Sequence, residues 1–208
     1  METDTKMTPA DRTSGYVTGI DYVDTYILHH NPNFARFLLL VQGVKAPKFA
    51  RALELGFGTG FSLGLTAAAQ PDCAWWGNDF NPSHVAAAQE MTAGLDPKPH
   101  LLESSFEEMV AAIDELPEFD FICLHGIWSW VSQDTHKTIV SLIARRLKPG
   151  GVISVGHNIH PYWAAIVPLR NLLALHVERQ GGKGRGISED LNAAMTFASR
   201  LAEISPKH

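Results

Sequence analysis

Several things are scarce in this chain, and each scarcity excludes something. There are only two cysteines in 208 residues, Cys73 and Cys123. Both sit inside apolar runs, so they read as buried reduced thiols and the cytosol is the expected compartment. Charge is thin: Asp, Glu, Lys and Arg make up 19% of the chain, too little for a disordered segment of this length. Positive charge is in deficit, 17 Lys+Arg against 22 Asp+Glu, which leaves no excess to neutralise phosphates and disfavours nucleic acid as a partner. No apolar run reaches the roughly 18 residues of a membrane span. The first residues, METDTKMTPADRTSG, are polar, so neither a membrane partner nor a secretory signal is expected. No Gly-x-Ser-x-Gly elbow appears, and hydrolase chemistry has no support. Histidine is plentiful, but His29-His30 and the His157/His160 pair come without Cys or carboxylate at ligand spacing, so no metal is expected.

A chain of this size buries roughly 70% of its unfolded surface and needs no staple. Residues 1–15 read as a flexible N-terminal arm. Residues 16–46 read as a cap segment bearing Tyr16, Tyr22 and Tyr26, and residues 47–208 as one domain. Asn31-Pro32 opens a helix that Gly43 stops. Apolar strands are predicted over 49–55, 73–77, 100–102, 119–124 and 152–155. Helices are predicted over 61–69, 82–93, 105–115, 133–147, 163–178 and 189–204, with Ser105 and Glu108 forming a capping box. Strands alternating with helices imply right-handed crossovers and a doubly wound α/β fold with a parallel sheet.

The first strand runs into Glu54-Leu55-Gly56-Phe57-Gly58-Thr59-Gly60, and a helix follows. A dinucleotide turn, Gly-x-Gly-x-x-Gly, would need glycine at position 61, where Phe61 stands. The pattern is instead an acid two residues before three alternate glycines. A carboxylate there suits a ligand that carries an ammonium group and no phosphate, as S-adenosylmethionine (SAM) does. Asp79, ending the second strand, suits two ribose hydroxyls.

With ARALELGFGTG, WWGNDFNPSHVAAA, FDFICLHGIWSWVS and LKPGGVISVGHN in hand, the sequence resembles class I SAM-dependent methyltransferases. More narrowly, it resembles bacterial methyltransferases that often carry a methyltransferase regulatory domain. The resemblance covers about residues 15–175. It implies a Rossmann-like, mostly parallel sheet of five to seven strands and SAM as cofactor. It implies that Glu54, Gly56, Phe57, Gly58, Thr59 and Gly60 line the methionine end of SAM, that Asp79 holds the ribose, and that Phe80 lies on the adenine. Ser104, Ser105 and Phe106 would meet the adenine amine, with Ser104 standing where many relatives have Asp. Tyr22 and Tyr26 fall in a segment that folds over the cofactor in such enzymes, and His125 begins their catalytic loop.

Methyl transfer needs positioning and, for an acceptor that must lose a proton, a base. His125 is the candidate base. A purely structural hydrogen-bonding role for this ring carries equal weight. Trp128 and Trp130 are candidates for the walls of an acceptor pocket, with core packing at least as good a reading for Trp130, and His157 and Asn158 are candidates for contacting the acceptor. The Asn/Asp-Pro-Pro-Tyr/Phe motif of DNA-amine methylases is absent after the fourth strand. A protein amine, a saccharide hydroxyl and a small molecule stay open as acceptors. A domain that binds SAM without catalysis, as regulator or scaffold, is the alternative. A full sheet of this class has a closing antiparallel hairpin for which no strands are legible after Val155. The expectation is therefore a shortened relative or fragment whose sheet edge is covered by a second copy or another partner.

Overall fold

The computed structural model describes residues 24–180 and 186–204. Tyr16, Tyr22, the arm over residues 1–15 and the basic loop with Lys183 and Arg185 lie outside the described residues.

Local chemistry sets most element boundaries. A 3-10 turn, Leu28–His30, leads into α1, Pro32–Val41. The Asn31 side chain accepts the N–H of Asn33, and Pro32 occupies a position where a missing N–H costs nothing. The same pairing recurs at α3, Pro82–Met91, which Asn81 caps. The strands are β1 (Arg51–Leu55), β2 (Ala74–Asp79), β3 (His100–Glu103), β4 (Phe119–His125) and β5 (Leu147–Gly156). Between them lie α2 (Phe61–Ala69), α4 (Phe106–Ala111) and α5 (Gln133–Arg146). The reciprocal capping box of Ser105 and Glu108 is present at α4.

Three boundaries differ from the sequence reading. The helix from Ser105 stops at Ala111, and a separate 3-10 turn, Ile113–Glu115, follows. Lys148-Pro149-Gly150-Gly151, read as a helix stop, lies inside β5, where a register slip opposite Phe119/Phe121 accommodates it. The helix expected from Trp163 is split into a 3-10 turn, Tyr162–Ala165, and α6, Val167–Arg179. Pro168 has no N–H for the preceding turn, which prevents one continuous helix.

The sheet is parallel throughout, in the order β3-β2-β1-β4-β5. Side chains alternate across it. Ala52, Trp75, Phe121 and Cys123 face Leu63 and Ala67 of α2 and Val85 and Ala88 of α3. Leu53, Leu55, Ile122 and Leu124 face Met109 of α4 and Ile139 and Leu142 of α5. Helices thus cover both faces, as the doubly wound expectation requires, and the direction of winding reverses between β1 and β4. β5 is an edge of the sheet among the described residues, with Ile153 and Val155 exposed.

At the opposite end of the sheet from the glycine-rich turn, Asp120 ties the starts of three strands together. Its Oδ2 accepts the N–H groups of Ala50 and Arg51 at 3.0 and 2.9 Å, and its Oδ1 pairs with Lys148 at 2.7 Å. Burial pushes this carboxyl up, but Lys148 and the two N–H donors outweigh burial and hold it below the usual range.

The chain divides into two compact units, one ending at His157 and one beginning at Asn158. The sequence reading placed no boundary there. In the second unit, α6 packs on α7 (Ile187–Ile204), with His176 stacked on Phe197 at 4.4 Å and Ala194 buried. No helix among the described residues is long and apolar enough to cross a membrane.

Candidate cofactor and acceptor site

In an open parallel sheet the carboxyl ends of the strands at the reversal point form the natural ligand crevice. Here that position is occupied by the ends of β1 and β4. The turn Gly56–Gly60 leaves β1 with its three glycines at φ of +64°, +59° and +78°, which side chains of the L configuration adopt only with strain. A Cβ at Gly60 would collide with Ala88, so this glycine also lets α3 approach closely. At Gly58 nothing lies within 4 Å of where a Cβ would stand, so the turn faces open space. Phe57, by contrast, is buried and packs into the core.

Asp79 holds the turn from β2. Its Oδ2 accepts the Gly58 N–H at 2.9 Å, its Oδ1 accepts the Asn81 N–H at 2.9 Å, and His84 Nδ1 lies 3.3 Å from Oδ1. Burial pushes its carboxyl up; the donors from Asn81, His84 and Gly58 pull the other way. Each carboxylate oxygen has two lone pairs; Oδ1 already meets Asn81 and His84, and Oδ2, with one donor, keeps an acceptor position for a hydroxyl. Phe80 follows, half-buried.

Asn78 was missed by the sequence reading. It is buried, with Oδ1 accepting the Gly56 N–H at 3.3 Å and Nδ2 donating to the Ser104 carbonyl at 2.9 Å. One amide, with donor and acceptor on the same plane, thus spans the turn and the end of β3. An Asn just before the strand-ending acid was the available signal. At that β3 end the Ser105 N–H is taken by Glu108 Oε2 at 2.8 Å, so it is not free to donate to an adenine ring nitrogen; the neighbouring Phe106 packs on the core below Gly56. The Ser104 hydroxyl is buried without a hydrogen-bond partner.

The segment before α1 crosses the mouth of the turn. Thr59 Oγ1 donates to Asp24 Oδ1 at 2.6 Å, and the Ile27 N–H donates to Ser62 Oγ at 3.2 Å. Tyr26 is turned toward the α1 cap, its hydroxyl accepting from Asn31 Nδ2 at 2.9 Å. Glu54 does not line the open side. Its carboxylate is 2% exposed and lies 3.2 Å from His30 Nδ1, with Cys123 beside it. The expected contact of Glu54 with an ammonium group is therefore replaced by a contact with an imidazole. The sequence reading found no acid or thiol at ligand spacing from His30. The fold supplies both from distant positions, and the ligand atoms of His30, Glu54 and Cys123 lie within 4.8 Å of one another. Burial, then the Glu54 and Cys73 charges, push the Cys123 thiol well up, so it stays protonated beside the His30–Glu54 pair.

His125, at the end of β4, is exposed, and its Nδ1 lies 3.1 Å from His29 Nε2. Burial, then His30, lower its pKa, against an upward pull from Glu54, so the ring is neutral at pH 7. Of the tryptophans, Trp128 packs against the core and stacks on His136 at 4.2 Å, with its carbonyl 2.7 Å from His136 Nε2. Trp130 is 61% exposed. Their expected weights are reversed: Trp128 is the packed residue and Trp130 the exposed one. His157 and Asn158 are both exposed and fall on either side of the boundary between the two units.

These residues fit SAM at the turn. Gly58 opens onto free space and the Asp79 carboxylate keeps acceptor capacity beside it. The parallel sheet with helices on both faces has the Rossmann-like fold of class I methyltransferases. Residues 52–151, just under half of the chain, match the family described as "Methyltransferase domain". A protein of Synechocystis sp. carrying the name "Uncharacterized protein" is 32% identical over 198 residues, 91% of this chain and 37% of that one. A trans-aconitate 2-methyltransferase of Methylobacterium nodulans is 30% identical over 107 residues, 51% of this chain and 37% of that one. The structure of PKMT2 from Rickettsia typhi in complex with AdoHcy superimposes with a TM-score of 0.69 at 21% identity, over 89% of this chain and 36% of that one. The chain thus spans little more than a third of the length of each of these relatives.

Proposed function

We propose that this chain transfers the methyl group of SAM to a nitrogen or oxygen acceptor, with His125 as the base that takes the acceptor's proton. The observation that carries the proposal is the turn itself: Gly58 opening onto free space at the reversal point of the sheet, with the Asp79 carboxylate fastened to its N–H.

When bound, SAM supplies a methyl carbon already activated by its sulfonium. The protein's own work is to bind, orient and exclude water. Gly58 admits the ligand's backbone-facing side, Gly60 admits α3 behind it, and Asp79 accepts a hydroxyl. The segment from Asp24 to His30 covers the turn. His125 stands at the neighbouring strand end, neutral, with Nδ1 engaged by His29 and Nε2 the nitrogen left for a proton. With SAM bound, the acceptor would gain the methyl group as the methyl–sulfur bond breaks and its electron pair returns to sulfur, leaving S-adenosylhomocysteine, and His125 Nε2 would take the acceptor's proton.

A protein amine, a saccharide hydroxyl and a small molecule all suit this arrangement, with exposed Trp130 as a wall beside it. A partner or second copy lying along the exposed β5 edge would complete the sheet. The test is formation of S-adenosylhomocysteine from SAM with panels of these three acceptor classes. Turnover that His125→Ala lowers 100-fold or more supports the reading. Tight SAM binding without turnover on any class would favour the regulatory or scaffold alternative.

A further inference from the structure

The carboxyl end of β5 carries a glycine whose missing side chain leaves room for two imidazoles. A Cβ at Gly156 would collide with His125 Nδ1 and stand 2.5 Å from His29 Nε2. Gly156 is not among the residues with positive φ and lies in a strand, so its backbone suits any residue. Glycine is required there for space alone. The space is filled by a contact between distant parts of the chain, His29 in the 3-10 turn before α1 and His125 at the end of β4. Their facing nitrogens are 3.1 Å apart and their ring centroids 4.9 Å apart.

We propose that His29 is a positioning residue: its Nε2 accepts the proton held on His125 Nδ1, which keeps His125 Nε2 unprotonated and open to the methyl acceptor. This rests on the reading of His125 as the base.

A hydrogen bond between two neutral imidazoles needs one donor and one acceptor, and which ring donates fixes both tautomers. If His29 donated, His125 would carry its proton on Nε2 and have no basic nitrogen to offer. Burial, then the neighbouring His30 and His125, lower the pKa of His29 to about 4, so its ring is neutral and one of its nitrogens is an acceptor. It stays neutral wherever His125 has to act. The other titratable groups facing the pair are His30, whose ring lies 5.0 Å from His29 and 6.1 Å from His125, and Glu54 behind His30. The Glu54 carboxylate favours the imidazolium that forms when Nε2 of His125 takes the acceptor's proton. During that step the proton on Nδ1 stays in the bond to His29, and the proton gained at Nε2 later leaves to water. The pair orients the ring and fixes its tautomer, the role a third group plays behind a general base elsewhere.

The experiment is 15N NMR of the full chain with labelled histidine, together with kinetics of three variants. The expected imidazole shifts show His125 protonated on Nδ1 and His29 accepting through Nε2. His125 protonated on Nε2 in the neutral form overturns the proposal. His29→Ala is expected to lower kcat tenfold to a hundredfold with KM for SAM within threefold, and His29→Gln, whose side-chain carbonyl accepts a hydrogen bond, to recover much of it. Gly156→Ala, which alters neither ring, is expected to reproduce the His29→Ala loss and scramble the His125 tautomer. An unchanged tautomer and rate in Gly156→Ala contradict the proposal. So does a ring signal that changes on dialysis against EDTA, which would make the pair a cation site. The NMR result stands without turnover: the expected tautomer in a chain that methylates nothing sinks the methyltransferase reading alone. An active enzyme with the opposite tautomer sinks only the role of His29.

Discussion

His30 Nδ1 and Glu54 Oε1 lie 3.2 Å apart with both side chains almost fully buried, joining the segment before α1 to the end of β1. A polar group removed from water is kept only where its partner stays in place, so this contact couples the N-terminal segment to the end of β1 that leads into the glycine-rich turn.

Removing one partner leaves the other stranded. His30→Ala and Glu54→Ala are each expected to lower unfolding stability by about 1–3 kcal/mol, because each leaves a buried polar group without its partner. The double variant is expected to cost less than the sum of the two, since neither polar group is then left alone. Urea unfolding of the four proteins measures the cycle, and strict additivity would show that the pair is not coupled.

Asp79 is the group whose loss should be felt first in cofactor binding. It supplies one charged acceptor to the Gly58 N–H and keeps capacity for a hydroxyl, and a hydrogen bond to a charged group is worth about 1.5–3 kcal/mol. Asp79→Asn is therefore expected to weaken SAM about tenfold to a hundredfold by calorimetry, and Asp79→Ala more. An unchanged affinity would place the ribose elsewhere.

Asp120 provides the opposite contrast. It fastens Ala50, Arg51 and Lys148 at the far end of the sheet, away from the turn. Asp120→Ala is expected to lower stability by about 2–4 kcal/mol while SAM affinity stays within about twofold. Because this carboxyl is held below its usual value, its contribution is present above the unfolded-state pKa and is lost as pH falls through the lowered one. Urea unfolding at neutral pH beside SAM calorimetry separates the two effects, and an equal loss of affinity would contradict this assignment.

Acid should also act through His29. Its pKa is depressed from 6.5 to about 4, so between those values the unfolded chain binds the proton and the folded chain does not. Stability should therefore be fully present above pH 6.5 and decline on acidification from 6.5 to 4. The Tm of His29→Gln should fall less steeply over that window, and parallel curves for the two proteins would remove His29 from the acid response.

The sheet was legible because its strands are short apolar runs closed by glycine, Asn-Asp or proline, and because Asn31-Pro32, Asn81-Pro82 and Ser105/Glu108 announce helix starts by simple hydrogen-bond chemistry. Boundaries failed where tertiary pairing overrode the local signal, as in Lys148–Gly151, which β4 draws into the sheet. Of the site, the open glycines and Asp79 were visible in their spacing. The destinations of Glu54 and His125 were not, since their partners His30 and His29 come from a segment far away in sequence that only the closed fold brings back. Asn78 was hidden for a related reason: an amide that satisfies two different strand ends looks like any turn residue until both ends are in place.

The central claim is that the turn Gly56–Gly60, held by Asp79, binds SAM. Titration of the chain with SAM and with S-adenosylhomocysteine by calorimetry tests it most directly. The account predicts saturable binding of one ligand per chain, weakened by Asp79→Ala and unaffected by Asp120→Ala. No heat at millimolar ligand, from a protein shown to be folded, would contradict it.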